Sequence, residues 1–327
     1  ALHFDEGVLA ALEARGVHLD ETDGHIDNMA RFVAPGRVLL TWTDDASDPR
    51  WGRSNEALEV LESVGSTNGE LAARERRGAQ QHGTVIVTLD QTAGRGRLGR
   101  EWVAPSGSAI AVSVLLSSAL PTSAISWLPL IGGLAAVEAV AAELADSAVE
   151  VKWPNDVLVT GRDGRQRKIA GVLAELVGET GAVVLGIGVN TAMAERDLPV
   201  PTATSIAIER PAVVDDSIAL ADRVVAAIIS GVLQRVAALD AASGDARAAG
   251  LIAELQQRCG TIGRRVRVQL PGGAVSVGTA TGIDQAGALI VATDDGVVAA
   301  VHAGDVTHLR YEWADTESVS TEAKGDG

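Results

Sequence analysis

The sequence predicts an α+β fold: a mixed, largely antiparallel sheet covered by helices, followed by a small β-barrel of SH3-like size. Three observations carry this expectation. Strand-length apolar runs alternate with helix-period segments between residues 60 and 260. The strands in the middle of that stretch are joined by Gly/Asp turns too short to hold crossover helices, which makes them antiparallel. After residue 263 only short strands and turns remain, the pattern of a small all-β module.

Taken in order, Thr67 and Glu70 have capping-box spacing and open a helix through residues 72–77. Residues 84–89 and 108–116 are apolar, β-rich runs and read as buried strands. Residues 125–144 are apolar on most faces, so that helix should pack deep in the domain. Strands follow at 149–153, 156–160, 168–177 and 183–189, with turns at 161–164 and 178–181, and helices near 217–239 and 246–258. Five short strands at 265–270, 274–282, 288–293, 297–301 and 306–310 make the terminal module. The polar tail after Trp313 has no apolar period and is expected to be disordered. The expected units are residues 1–60, an acidic and poorly ordered segment; 61–262, the main α+β domain; 263–313, the β module; and the tail 314–327.

A chain of 327 residues with 46% hydrophobic content has room for two or three domains, and its net charge of −16 argues against nonspecific nucleic-acid binding. The single Cys259 excludes an internal disulfide framework and suits a reducing cytoplasm, and no Cys/His group has zinc spacing. The first residues lack a basic n-region followed by an apolar stretch. The long uncharged run from Val103 is broken by Pro105, Ser117-Ser118, Pro121 and Pro129, so a buried strand and core helix fit it better than a membrane span.

Against that acidic background, Gln91 to Trp102 reads Gln-Thr-Ala-Gly-Arg-Gly-Arg-Leu-Gly-Arg-Glu-Trp, with three arginines interleaved among three glycines. Glycines offer exposed N–H groups, and arginines offer fixed charge and forked donors for phosphate or carboxylate. It is neither a P-loop nor a dinucleotide fingerprint, because no Gly-Lys-Ser/Thr follows and no helix opens behind the glycines. A solvated basic turn is the bland alternative. Four further segments bear on the chemistry. Ser63 to Asn68 puts hydroxyls and an amide at a helix N-terminus, as a ligand site or a simple N-cap. Lys152-Trp153-Pro154-Asn155-Asp156 sets a cation, an amide and a carboxylate at a strand break, which an ordinary surface turn could also contain. Lys168 heads the apolar run Ile169-Ala170-Gly171-Val172-Leu173, where an ammonium is costly unless an anion is bound or the strand start is exposed. Gly186-Ile187-Gly188-Val189-Asn190 ends a strand with backbone open to close approach, for a ligand or for packing.

In this order and spacing the segments closely resemble the biotin protein ligases, over about residues 62–310, with Gly282-Ile283-Asp284 and Gly287-Ala288-Leu289 similar to that family's C-terminal signature. The resemblance implies a class II synthetase-like catalytic domain and a two-step reaction. Biotin and MgATP give biotinyl-5′-AMP and pyrophosphate; a lysine amine on the biotin carboxyl carrier domain of an acetyl-CoA or related carboxylase then attacks the mixed anhydride and releases AMP. It implies that Ser66, Thr67, Asn68, Gln91, Arg95, Gly96 and Gly171 surround biotin with Arg97 and Lys168. Arg97, Arg100, Trp102, Lys152, Asn190 and Arg310 would face the nucleotide, and Lys168, Arg97 and Asp156 would act in catalysis, with no fixed metal ligands beyond the Mg2+ that accompanies ATP. The chain would work as a monomer or homodimer, without nucleic acid or membrane. A lipoate or octanoyl transferase is the enzyme alternative, and a biotin-sensing regulator the nonenzymatic one.

Residues 1–60 depart from that pattern. Asp20 to Asn28, with Gly24-His25-Ile26-Asp27-Asn28 inside it, and the following Phe32 to Arg37 and Thr41 to Asp45 resemble an internal stretch of the agmatine deiminases. The cysteine nucleophile that such chemistry requires has no counterpart here, since Cys259 sits inside the ligase-like region. His25 and Asp27 therefore read as relics of a fusion or a misread start, with a seam near residues 57–63.

Overall fold

A computed structural model describes residues 30–34, 37–40, 58–78, 80–117, 121–144, 147–211, 217–269, 275–302 and 308–311. The deiminase-like motif with His25 and Asp27, residues 41–57 and the tail 314–327 lie outside the described residues.

Strands β1 (Ala30–Ala34) and β2 (Arg37–Leu40) form an antiparallel hairpin of their own. β3 (Leu58–Leu61), helix α1 (Thr67–Arg77) and β4 (Val85–Thr88) make a parallel β-α-β unit. The cap of α1 differs from the expected one. Ser66, not Thr67, is the N-cap, its Oγ accepting from Gly69 N at 3.3 Å. The residue three past that cap is a glycine, so no capping box forms, and Glu70 pairs with Arg74 instead. Thr67 is thereby released for other contacts.

Next come β5 (Gly94–Arg95) and β6 (Glu101–Trp102), then β7 (Ala109–Leu116), whose eight residues are all buried. The short helix α2 (Thr122–Ile125) leads into α3 (Leu128–Glu143), which is buried on nearly every face, as its uniform hydrophobicity requires. β8 (Val149–Lys152), β9 (Asp156–Thr160), β10 (Gln166–Val177) and β11 (Ala182–Asn190) are consecutive antiparallel partners. Together with β3, β4 and β7 they form a seven-stranded sheet in the order β3-β4-β7-β11-β10-β9-β8, antiparallel except at β3-β4. That is the mixed, largely antiparallel sheet expected.

Helix α4 (Ile206–Glu209) precedes α5 (Ser217–Ala241) and α6 (Leu251–Arg258). By length and composition α5 is the one described helix apolar enough to cross a membrane. It packs along α3, with Leu220, Val224, Ile228, Val232 and Val236 in the same core as α3.

The terminal module corrects the sequence reading. β12 (Arg265–Gln269), β13 (Val275–Ile283), β14 (Leu289–Thr293), β15 (Val298–Val301) and β16 (His308–Tyr311) form a sheet in the order β15-β14-β13-β12-β16. Among the described residues no sheet is closed into a barrel, because β15 and β16 are its two edges and do not pair. Short alternating strands and turns are common to an open meander and a closed one; closure depends on shear and on pairing between the end strands, which local pattern does not encode.

Three side chains of the main domain hold one turn of this module. Ser126 Oγ donates to Ala286 O at 2.6 Å, Trp127 Nε1 to Gln285 O at 2.8 Å and Trp153 Nε1 to Gly287 O at 2.9 Å. Both indoles are fully buried, so each N–H needs its acceptor. The apolar core runs without interruption from Trp127 and Trp153 to Ile283 and Leu289.

Candidate active site

On the sheet face opposite α3, glycines thin the floor. Gly171 on β10 and Gly188 on β11 are direct partners, and Leu173 pairs with Gly186. The indole of Trp102 lies over that thin patch: a Cβ on Gly188 would come within 2.7 Å of its ring, and one on Gly171 within 3.1 Å. A Cβ on Gly186 would meet Asn68 Oδ1 at 2.1 Å. Backbone freedom is not the issue at these strand positions. The glycines leave room for Trp102 and Asn68.

The glycine/arginine loop is a small hairpin, with Gly94 paired to Trp102, Arg95 to Glu101, and a 3-10 turn over Arg97–Gly99. Its base is tied to the N-terminus of α1, because Gln91 Oε1 accepts from Thr67 N at 2.9 Å and lies 3.2 Å from Thr67 Oγ1. Asn68, 4% exposed, has its Oδ1 2.6 Å from Ser113 Oγ, and its Nδ2 donates to Leu173 O at 3.2 Å. Opposite, the turn between β8 and β9 carries Asn155, bound to Val172 on β10 through both backbone and side chain at 2.9 Å. Asn155 Oδ1 accepts from Arg97 Nη1 at 3.0 Å.

Lys168 Nζ lies 2.6 Å from Asp156 Oδ1 and 5.5 Å from the centroid of Trp102. Here the structure answers the question of the costly ammonium: Lys168 keeps 34% of its side chain exposed and Asp156 is its anion. A register shift between Lys168 and Ala170 aims it. In an unbroken strand residues 168 and 171 would face opposite sides; the extra residue of the bulge turns both to the cavity and keeps Ile169 fully buried in the core. Burial pulls the Arg97 guanidinium below its ordinary pKa, Asp156 opposes that shift and Arg100 adds to it.

These parts enclose a cavity of about 190 Å³ lined by Ser66, Thr67, Asn68, Gln91, Arg95, Gly96, Arg97, Arg100, Trp102, Lys152, Asp156, Lys168 and Gly171. Nearly all the residues singled out in the sequence are therefore in one place. Among the residues whose side chains are described, Asn190 is the exception. Asn190 is 4% exposed at the end of β11, donates from Nδ2 to Thr204 O at 2.9 Å, and does not line the cavity. Arg310 lies on β16 opposite Arg267, with its side chain outside the described residues. Asn155, Ser113 and Glu175 belong to the network but carry no signal in the sequence beyond an amide in a turn and polar residues in apolar strands. Five cations, Arg95, Arg97, Arg100, Lys152 and Lys168, line the cavity with two carboxylates, the partly buried Asp156 and the exposed Glu101. Such a site takes an anion.

Residues 60–190 match the biotin/lipoate A/B protein ligase family and residues 261–309 match the biotin protein ligase C terminal domain. The biotin–[acetyl-CoA-carboxylase] ligase of Mycobacterium tuberculosis is 39% identical over 256 residues, covering 77% of this chain and 89% of that protein. The chain belongs to the biotin protein ligase family. The biotin protein ligase of Aquifex aeolicus, solved in complex with biotin and ATP, superposes with a TM-score of 0.60 at 25% identity, over 78% of this chain and 99% of that one. The family member described here differs at its N-terminal end. Residues 7–74 match the Porphyromonas-type peptidyl-arginine deiminase family, and a putative agmatine deiminase of Shewanella sp. is 57% identical over 54 residues, only 15% of that protein's length.

Proposed function

We propose that this chain is an ATP-dependent biotin–[acetyl-CoA-carboxylase] ligase, which forms biotinyl-5′-AMP and transfers biotin to a lysine of a biotin carboxyl carrier domain. The observation that carries this reading is the convergence of Lys168, Arg97, Arg100 and Lys152 on a cavity whose other wall is the polar edge of α1. The Aquifex relative, solved with biotin and ATP, shares the fold around it.

In this reading Ser66, Thr67, Asn68 and Gln91 hydrogen-bond the biotin ring, because a buried cyclic urea must keep its donors and acceptors paired. The biotin carboxylate attacks the α-phosphate of ATP and pyrophosphate leaves. Lys168 sits between the two anions and offsets the charge that grows on the phosphoryl oxygens. Arg97, held by Asn155, and Arg100 take the phosphates, and Trp102 offers adenine an aromatic face. The acceptor amine then attacks the anhydride carbonyl and AMP leaves with its electron pair; Asp156 steers that amine. No enzyme nucleophile is required. Among the described residues no group of three or more His, Cys, Asp or Glu could hold a metal ion. Mg2+ would enter the first step with the ATP phosphates, Asp156 being the partly buried carboxylate of the cavity that could contact it, and would supply charge neutralisation. Work in a reducing cytoplasm fits the single buried Cys259, whose thiol pKa burial pushes up.

The deiminase-like segment contributes no step in this reading. A carrier domain incubated with ATP and biotin gains the mass of one biotinyl group, with the full chain and with a form starting near Ala57, which keeps β3 (Leu58–Leu61) in the sheet, at equal rates. A mass gain with lipoic or octanoic acid instead would favour the lipoate/octanoyl alternative, and loss of activity on truncation would give the segment a role. Saturating biotin and ATP also slow tryptic cleavage between Gly94 and Arg100, since bound anions hold the hairpin's arginines; unchanged cleavage would speak against the loop as an anion clamp.

A further inference from the structure

Behind the glycine/arginine hairpin stands Glu175, on β10 two and four residues beyond Leu173 and Gly171 and on the same face of the sheet. It does not line the 190 Å³ cavity; it lines a groove of about 910 Å³ on the other side of the hairpin. Its Oε2 is shared. Arg95 Nη2 donates to it at 3.0 Å and Asn68 Nδ2 at 2.8 Å. Arg95 thus points to the rim of the sheet while Arg97 points to Asn155 within the cavity. Asn68 is nearly buried, and with Ser113 at its Oδ1 and Glu175 and Leu173 O at its Nδ2, its amide has a single orientation.

We propose that Glu175 is a positioning residue, which latches the hairpin to the sheet through Arg95 and at the same time fixes the Asn68 amide, so that one carboxylate sets both the lid and the polar wall of the ligand cavity. The proposal rests on reading that cavity as the biotin site, and its consequence falls on binding. Glu175 touches the cavity only through Arg95 and Asn68, so its loss loosens the ligand-binding geometry before and during the reaction alike. Such a loss raises KM and spares kcat.

The test uses the full chain and three variants, Glu175→Ala, Arg95→Ala and the double variant. Ligand-free tryptic cleavage after Arg97 and Arg100 is read beside the steady-state formation of biotinyl-5′-AMP and the unfolding temperature. Glu175→Ala should be cleaved faster and show KM for biotin raised roughly tenfold, with kcat within about twofold of the parent, the size expected for losing charge-assisted hydrogen bonds in a half-exposed pair. Arg95→Ala should share the faster cleavage, and the double variant should be cleaved no faster than Glu175→Ala, as for two ends of one contact. Glu175→Gln, which keeps shape and an acceptor, should fall between, and it carries the same test if Glu175→Ala does not fold. Unchanged cleavage, effects of the two substitutions on cleavage that multiply, or a fall in kcat at constant KM for Glu175→Ala would overturn the latch. The cleavage arm needs no ligand, so a parent protein that makes no biotinyl-5′-AMP would sink the functional reading and still leave the latch decided.

Discussion

Lys168→Ala lowers the rate of biotinyl-5′-AMP formation by about 10²–10³-fold, the range seen when one preorganised donor to a developing oxyanion is removed. The substitution takes away the cation between the carboxylate and the phosphate and also leaves Asp156 without the partner that lies at 2.6 Å. An unneutralised carboxylate would then face the incoming biotin carboxylate and the triphosphate, and like charges in a half-buried site repel strongly. The fold should survive, because the structural bonds of this residue are made by its backbone: Lys168 N donates to Thr202 O at 2.7 Å and its carbonyl accepts from Thr204 N at 2.9 Å. Lys168→Arg restores charge but not a point donor, so it should recover only part of the rate. Pyrophosphate release measures both variants, and normal adenylate formation by Lys168→Ala at an unchanged unfolding temperature would remove Lys168 from its assigned role.

Gly186→Ala is expected to have the second-largest effect, through sterics alone. The new Cβ would stand 2.1 Å from Asn68 Oδ1 and 2.9 Å from Nδ2, and Asn68 has nowhere to retreat. It is held by Ser113, Leu173 O and Glu175 and belongs to the first turn of α1. The helix start must therefore shift, and Ser66 and Thr67 with it. Overpacking of this kind costs about 1–3 kcal/mol, which lowers stability and raises KM for biotin by roughly ten- to a hundredfold. Gly188→Ala provides the contrast. Its Cβ meets the Trp102 indole, a side chain on a hairpin that can move, so its effect on biotin should be smaller. Titration calorimetry with biotin ranks the two, and an equal or reversed order would contradict the assignment of the Asn68 wall.

Much of the site is legible in the sequence because its chemistry resides in residue types. Arginines among glycines stand out against a net charge of −16, and Lys152, Asp156 and Lys168 bracket short strands whose apolar pattern is plain. The residues that hold these groups in place are not legible in the same way. Asn155 looks like a turn amide, Ser113 like a polar interruption of an apolar strand, and Glu175 like a solvent-facing strand residue. Each matters because of a partner brought close by the fold: Arg95 and Glu175 are 80 positions apart, and Asn68 and Ser113 are 45 apart. Asn190 is the converse case, an amide at a strand tip that suggested a nucleotide contact and instead satisfies the buried carbonyl of Thr204.

The alternation of strands and helices, the burial of α3 and the antiparallel order of β8 to β11 follow from hydrophobic period and loop length, which are local quantities that any stretch of the chain carries with it. The bulge at Ile169, the pairing of Gly171 with Gly188 and the open edge of the terminal sheet do not. They are set by which strands pair and in what register, and register is chosen by burying Ile169 and Val172 against α3 while leaving room above the glycines for Trp102. That choice balances contacts between segments far apart in the chain. The anion-binding residues are therefore written locally, while their convergence on a single cavity comes from packing across the whole domain.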